Sequence, residues 1–183
     1  MTAVSSRRFP EVLILESTAF ADERGSFVAT FNQRETELSL GNGITFVQDN
    51  HTCSRRGVLR GLHYQLPPHA QGKLVRVLRG SAFDVAVDVR RDSPSFGDWF
   101  GIILDADNPR QVWIPQGFAH GCLALEDDTH VLYKVTAEYA PGYERAIAWN
   151  DSAIGIEWPL DDRTPLLSTR DAAAPRLAQA QTF

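Results

Sequence analysis

The chain reads as all-β, a sandwich or a barrel, and three observations lead there. Short runs rich in β-branched and aromatic residues follow one another along most of the 183 residues. Turn signals separate them: Arg79-Gly80-Ser81, Ser93-Pro94-Ser95, Asp107-Asn108-Pro109, Asp127-Asp128 and Pro141-Gly142. Helical periodicity is confined to two short stretches. Many short strands at such spacing, with few helices, are the pattern of sandwiches and barrels.

In chain order, EVLILES (11–17), GSFVATF (25–31) and ITFVQDNH (44–51) are the first expected strands, and QRETELSL (33–40) is a short helix before the third. VLRGLHYQ (58–65), KLVRVLRG (73–80), SAFDVAVDVR (81–90) and WFGIILDA (99–106) continue the series. RQVWIPQ (110–116), HGCLALE (120–126), HVLYKVTAEY (130–139) and ERAIAWND (144–151) complete it. The Ala-rich tail over 171–181 is a second candidate helix. No repeat, low-complexity tract or linker interrupts the chain, so residues 1–183 are expected to form a single domain. In AFDVAVDVR, Phe83, Val85, Val87 and Val89 share one face, and Asp84, Ala86 and Asp88 the other. Aspartates at that regularity line a polar cavity or face solvent.

A hydrophobic content of 43% supports a substantial core, and 22% charged residues is ordinary for a soluble protein. The formal net charge of −5 disfavours nucleic acid as a partner, while leaving room for a local basic pocket. No apolar run reaches the ~18 residues of a membrane-spanning helix, and MTAVSSRRF lacks a secretory h-region. Cys53 and Cys122 make no disulfide or ligand pattern, which fits idle thiols in a reducing cytoplasm.

GVLRGLHYQ (57–65) embeds Arg60 and His63 in an otherwise apolar strand, where each needs a partner. IPQGFAHG fits the P-x-G-x-x-H pattern of cupin barrels through Pro115, Gly117 and His120. A metal cupin also needs H-x-H earlier; here that place reads His63-Tyr64-Gln65, so the second histidine is missing and no metal is expected. Each histidine alone is as well explained as a hydrogen-bonded structural ring. Lys73, also in an apolar run, could stabilise a developing oxyanion or snorkel from a strand end. RRGVLR (55–60) is the one basic cluster, suited to a phosphate-bearing ligand or to a solvated loop. Tyr133 and Tyr139 fall on one face if HVLYKVTAEY is a single strand; core packing competes with proton donation for both.

Taken together, DERGSF, TFVQDNH, GVLRGLHYQ, QGKLVRVLRGSAFDVAVDVR, SPSFGDW, QVWIPQGFAHG, YKVTAEYAP, WND and GIEWP resemble the dTDP-4-dehydrorhamnose 3,5-epimerases. The segments run in order from about Asp22 to Pro159, with a further match at LSTRDAAAP. The resemblance implies a cupin-type double-stranded β-helix, or jelly-roll barrel, with a few short peripheral helices. It implies a cytoplasmic homodimer that uses no cofactor and inverts C3 and C5 of a dTDP-4-keto sugar, both carbons next to the C4 ketone.

A proton beside a ketone is removable only when the enolate oxygen is stabilised, so such a site needs a base, an oxyanion partner and an acid on the opposite face. The resemblance implies His63 as base with Asp171 as its partner, Lys73 at the enolate oxygen and Tyr133 as acid at C5. It implies substrate contacts from Arg24, Gln48, Asp49, Asn50, Arg60, His120, Tyr139 (stacked on thymine), Glu144 and Arg170. Two positions depart from the family pattern: Ala29 stands where a glutamate is common, and Arg170 where the tail motif often has lysine. Relatives that invert only C3 or only C5, a non-catalytic nucleotide-sugar binder and a metal-dependent cupin are the competing readings.

Overall fold

The structure, a computed structural model, describes residues 2–6 and 8–183. Its strands are β1 (Thr2–Ser5), β2 (Leu13–Glu16), β3 (Ala19–Asp22), β4 (Gly25–Val28), β5 (Gln48–Ser54), β6 (Leu59–Gln65) and β7 (Lys73–Arg79). They continue as β8 (Ser81–Asp88), β9 (Trp99–Asp105), β10 (Arg110–Ile114), β11 (Phe118–Ala124), β12 (Thr129–Val135) and β13 (Glu144–Ala146). The helices are α1 (Gln33–Leu40) and α2 (Thr169–Ala172), with a 3-10 turn at Leu177–Gln179.

Among the described residues a six-stranded sheet, ordered β1-β2-β10-β7-β12-β5, faces a five-stranded sheet, ordered β13-β6-β11-β8-β9. Every pairing within them is antiparallel. Val75, Val77, Val112, Ile114 and Val131 from the first sheet meet Ala82, Ala86, Leu104 and Phe118 from the second, with Phe9 and Val12 added from the N-terminal segment. Each fully buried side chain of this size contributes on the order of 1.5–3 kcal/mol. This core fills one end of the space between the sheets and leaves the other end open.

The two outer faces are covered differently. Phe31, Leu40, Ile44 and Phe46 pack over Leu15, Leu74 and Trp113 on the six-stranded sheet. Ile147, Ile154, Leu177 and Ala180 of the C-terminal segment pack over Leu62, Val85, Val87 and Ala119 on the five-stranded sheet. This cover decides between the two expectations for the aspartate face of β8, polar interior or solvent, in favour of the interior: Asp84, Ala86 and Asp88 point between the sheets and are 2%, 1% and 0% exposed.

Other boundaries also differ from the sequence expectation. ITFV (44–47) precedes β5 instead of belonging to it, since Ile44 and Phe46 serve as outer-face cover. HVLYKVTAEY is not one strand: β12 ends at Val135, and Tyr139 lies in the loop beyond. The tail helix is broken, with α2 and the 3-10 turn separated by a segment containing Pro175, whose ring cannot continue a helix. α1 falls where expected, capped by Asn32 Oδ1 accepting from the Glu35 N–H at 3.1 Å.

Candidate active site

The open end of the sandwich is a cavity of about 450 Å³ with walls from both sheets. From β6 come Arg60, His63 and Gln65; from β11, His120 and Cys122. The opposite wall holds Gln48, Asn50 and Thr52 of β5, Lys73 of β7, and Val131 and Tyr133 of β12. Tyr139, Glu144, Ser168, Arg170 and Asp171 close the rim and the tail side.

Strict alternation would put Arg60 and His63 on opposite faces of β6, yet both line the cavity. A bulge reconciles them. Arg60 pairs with Cys122 and His63 with His120, so two residues of β6 stand against one of β11. Gly61 makes the bulge possible: its φ is +130°, and a Cβ there would lie 2.6 Å from the Gly121 Cα. The bulge turns a guanidinium and an imidazole to the same side.

His63 Nε2–H donates to Asp171 Oδ1 at 2.5 Å, which leaves its Nδ1 lone pair without a protein donor among the described residues. The short helix α2 places the carboxylate, with its Ser168 cap accepting from the Asp171 N–H at 3.0 Å. Burial pushes the Asp171 carboxyl up, but hydrogen bonds from His63 and Ser168 and the nearby positive charges outweigh it and hold it below its ordinary value. Lys73 is buried and donates to the His63 carbonyl at 3.2 Å. Burial lowers its pKa from 10.5 to about 8, against the opposing pull of Asp84 and Glu144.

A second imidazole–carboxylate pair lies deeper, His120 Nε2 to Asp84 Oδ2 at 2.7 Å. Its side chains are 9% and 1% exposed, against 27% for the His63 ring. Asp84 Oδ1 is buried without a hydrogen-bond partner among the described residues. Asp84 was legible in the sequence only as one of a regular row of aspartates, and not as a site residue. Tyr133 stands edge-on to His120, ring centroids 6.3 Å apart. Burial raises its phenol pKa, with Arg60 opposing and Glu144 and Cys122 reinforcing the rise. Its hydroxyl has no protein partner among the described residues, in contrast to Tyr64, whose hydroxyl is committed to the Gln181 carbonyl at 2.6 Å.

At the rim, Tyr139 Oη–H at 2.6 Å and Arg170 Nη1–H at 2.5 Å both donate to Glu144 Oε2. Gln48 Nε2–H donates to Asn50 Oδ1 at 2.7 Å, and its Oε1 accepts from the Tyr139 N–H at 3.0 Å. Arg60 Nε–H donates to Ser54 Oγ at 3.2 Å. Two expected site residues lie elsewhere within the chain. Asp49 points to the outer face of β5, where Lys134 Nζ donates to it at 2.9 Å. Arg24 caps the exposed β3–β4 hairpin, 85% exposed and bonded to Asp22. Ser168 and the loop residue Gln71 also line the cavity without having been singled out in the sequence, because nothing local marks where a loop side chain lands.

Among the described residues no group of three or more His, Cys, Asp or Glu side chains is arranged to hold a metal ion. Gln65, at the place of the second cupin histidine, gives its amide to backbone groups instead. The arrangement suits proton transfer: a carboxylate-oriented imidazole on one wall, a buried cation and a phenol on the other.

Comparison with known proteins agrees with this geometry. A family model described as dTDP-4-dehydrorhamnose 3,5-epimerase matches residues 6–179. The dTDP-4-dehydrorhamnose 3,5-epimerase of Salmonella typhimurium is 54% identical over 180 residues, 98% of each chain. A crystal structure of a dTDP-6-deoxy-D-glucose-3,5-epimerase from Legionella pneumophila, in complex with dTDP-4-keto-L-rhamnose, matches with a TM-score of 0.93 at 46% identity, covering 97% of this chain and 93% of that one. A 3'-monoepimerase from Streptomyces bikiniensis, in complex with dTDP-quinovose, matches with a TM-score of 0.89 at 36% identity, covering 96% and 88%.

Proposed function

The chain belongs to the dTDP-4-dehydrorhamnose 3,5-epimerase family, and from that premise we propose that its cavity converts dTDP-4-dehydro-6-deoxy-D-glucose to dTDP-4-dehydro-L-rhamnose. The observation that supports the proposal is that His63 and Tyr133, the base and acid of this reading, line the cavity from opposing sheets. His63 projects from β6 of one sheet and Tyr133 from β12 of the other, so a flat sugar ring between them presents one face to each.

In this reading His63 Nδ1 takes the proton from a carbon next to the C4 ketone, and the electron pair moves onto the C4 oxygen. The Lys73 ammonium, in a low-dielectric setting, stabilises the enolate that forms. The Asp171 carboxylate stabilises the imidazolium and fixes its tautomer. Tyr133 returns a proton at C5 from the opposite face; at C3 the same base and cation form the enolate, and a proton from solvent water on the opposite face completes the inversion. His120 lines the sugar end. Arg60 and Arg170 suit the diphosphate, Tyr139 the thymine, and Gln48, Asn50 and Glu144 complete the nucleotide side. The reading uses no metal or organic cofactor.

We further propose a cytoplasmic homodimer built from this single cupin-type domain, without nucleic acid or membrane as partner. Phe20 and Phe27 support the second copy: they pair across the β3–β4 hairpin and are 66% and 70% exposed. Arg24 sits at the turn of the same hairpin and would lie at or beside that interface. No described helix is long and apolar enough to cross a membrane.

Incubation of the enzyme with dTDP-4-dehydro-6-deoxy-D-glucose in D2O tests the double epimerisation. Proton NMR is expected to find deuterium at both C3 and C5 of the product; label at one carbon alone overturns it in favour of a mono-epimerase.

A further inference from the structure

Gln65 lies two residues after His63 on β6, faces the cavity side, and is only 2% exposed. A buried primary amide must satisfy both its donor and its acceptor. This one does so entirely on backbone from two loops. Its Oε1 accepts from the Ala140 N–H at 2.8 Å, and its Nε2 donates to the His69 and Glu138 carbonyls at 2.7 Å and 3.2 Å. Since Ala140 offers a donor and the others offer acceptors, only this orientation of the amide fits.

The loops it joins are also joined to each other. Gln71 Nε2–H donates to the Ala137 carbonyl at 2.8 Å, and the Gly72 N–H donates to Thr136 Oγ1 at 2.8 Å. Gln48 Oε1 holds the Tyr139 N–H from the β5 side at 3.0 Å. The segment carrying Tyr139 has left strand pairing at Val135, so these side-chain bonds replace a ladder. Bonds from Gln65 bracket Tyr139 on both sides, at residues 138 and 140.

We propose that Gln65 is a positioning residue for nucleobase recognition: its amide fixes the 138–140 loop so that the Tyr139 ring stands ready for the base of a nucleoside diphosphate sugar. The inference rests on the reading that Tyr139 stacks on the base. Preorganising the loop removes an ordering cost that binding would otherwise carry. The position that would hold a metal ligand in a metal cupin thereby serves the far end of the substrate.

The test is binding of dTDP by titration calorimetry, with steady-state kinetics on the dTDP-4-keto sugar, for Gln65→Met, Tyr139→Ala and the double variant. Gln65→Met keeps the volume and removes all three bonds. Its Kd for dTDP and its KM are expected to rise roughly tenfold, the scale of about one net hydrogen bond, with kcat within about twofold. The double variant should bind no more weakly than Tyr139→Ala alone. Unchanged affinity in Gln65→Met while Tyr139→Ala weakens binding overturns the inference and leaves the stacking reading standing. Unchanged affinity in Tyr139→Ala overturns the stacking reading itself, and the inference with it. Losses that add in the double variant, or a kcat that falls in step with the rise in KM, also overturn it. Should Gln65→Met fail to fold, Gln65→Glu keeps the acceptor for Ala140 and loses both donations; the same rise in Kd is expected, and its absence is decisive against the proposal.

Discussion

The floor and the rim of the cavity differ in how they hold charge. At the floor, Lys73, His120 and Asp84 are all buried, and the Lys73 pKa falls to about 8. At the rim, Glu144, Tyr139 and Arg170 share one carboxylate oxygen, and Tyr139 is 52% exposed. Burial makes each floor interaction strong and each unpaired group costly. The rim is wet, and an ion pair there is worth about 0–1 kcal/mol. Charge created in the reaction belongs where the dielectric is low; a diphosphate that arrives already charged can be held where water still reaches. Floor substitutions should therefore lower kcat, and rim substitutions should raise KM.

The largest expected effect is that of His63→Ala, a loss of roughly 10³-fold or more in kcat, with dTDP affinity nearly unchanged. Single-turnover rates alongside dTDP titration separate the two. A variant that turns over at the parent rate removes His63 as base and, with it, the division between floor and rim.

Lys73→Met comes next, at roughly 10²–10³-fold in kcat, the scale of losing one oxyanion donor. Its charge also sets a pH dependence. Lys73 must be protonated to stabilise the enolate, and its pKa is depressed, so the charged fraction falls as pH rises through about 8. The kcat/KM profile should bend downward there, since that quantity reports free-enzyme groups. A flat profile to pH 9.5 would place the oxyanion partner elsewhere.

Much of this division was legible before the structure, and what was not has physical reasons. β6 to β12 stand out in the sequence because their alternating or continuous apolar runs are what two packed sheets require. β1 (TAVS) and β3 (AFAD) are short and exposed, so their pairing depends on neighbours that local sequence does not describe. Arg60, His63, Lys73, His120 and Tyr133 were readable because polar groups inside apolar strands need an explanation. Asp84 was half-readable: an aspartate in a regular polar face suggests a cavity or solvent, and only the tail packed over the other face decides for the interior. Asp171 and Arg170 needed the family resemblance, because tail docking is a long-range event. Arg24 and Asp49 matched motifs but point away from the cavity of their own chain.

Tyr133→Phe tests the floor more finely. The hydroxyl is removed and the ring kept, so packing beside His120 survives. Loss of a positioned acid is expected to slow C5 inversion about 100-fold while His63 still exchanges the C3 proton. In D2O, label should then accumulate at C3 well ahead of C5. Equal slowing at both carbons would make the phenol a general feature of the pocket and not the acid for one carbon.

The smallest effect is expected from Arg170→Lys, and it probes whether rim and floor are separable at all. Arg170 bonds Glu144 at the rim, yet its neighbour in α2 is Asp171, whose carboxylate it helps hold in the charged form. If the side chain works as a rim group, exchanging a forked guanidinium for an ammonium changes geometry and keeps charge. KM should then rise about two- to fivefold with kcat unchanged, and added salt should narrow the difference as exposed charges are screened. If Arg170 instead matters chiefly through Asp171, lysine preserves the charge that Asp171 senses, KM stays at the parent value, and only Arg170→Ala lowers kcat. Running both substitutions at low and high salt separates the alternatives, because a rim contact follows geometry and screening, whereas support of Asp171 follows charge alone.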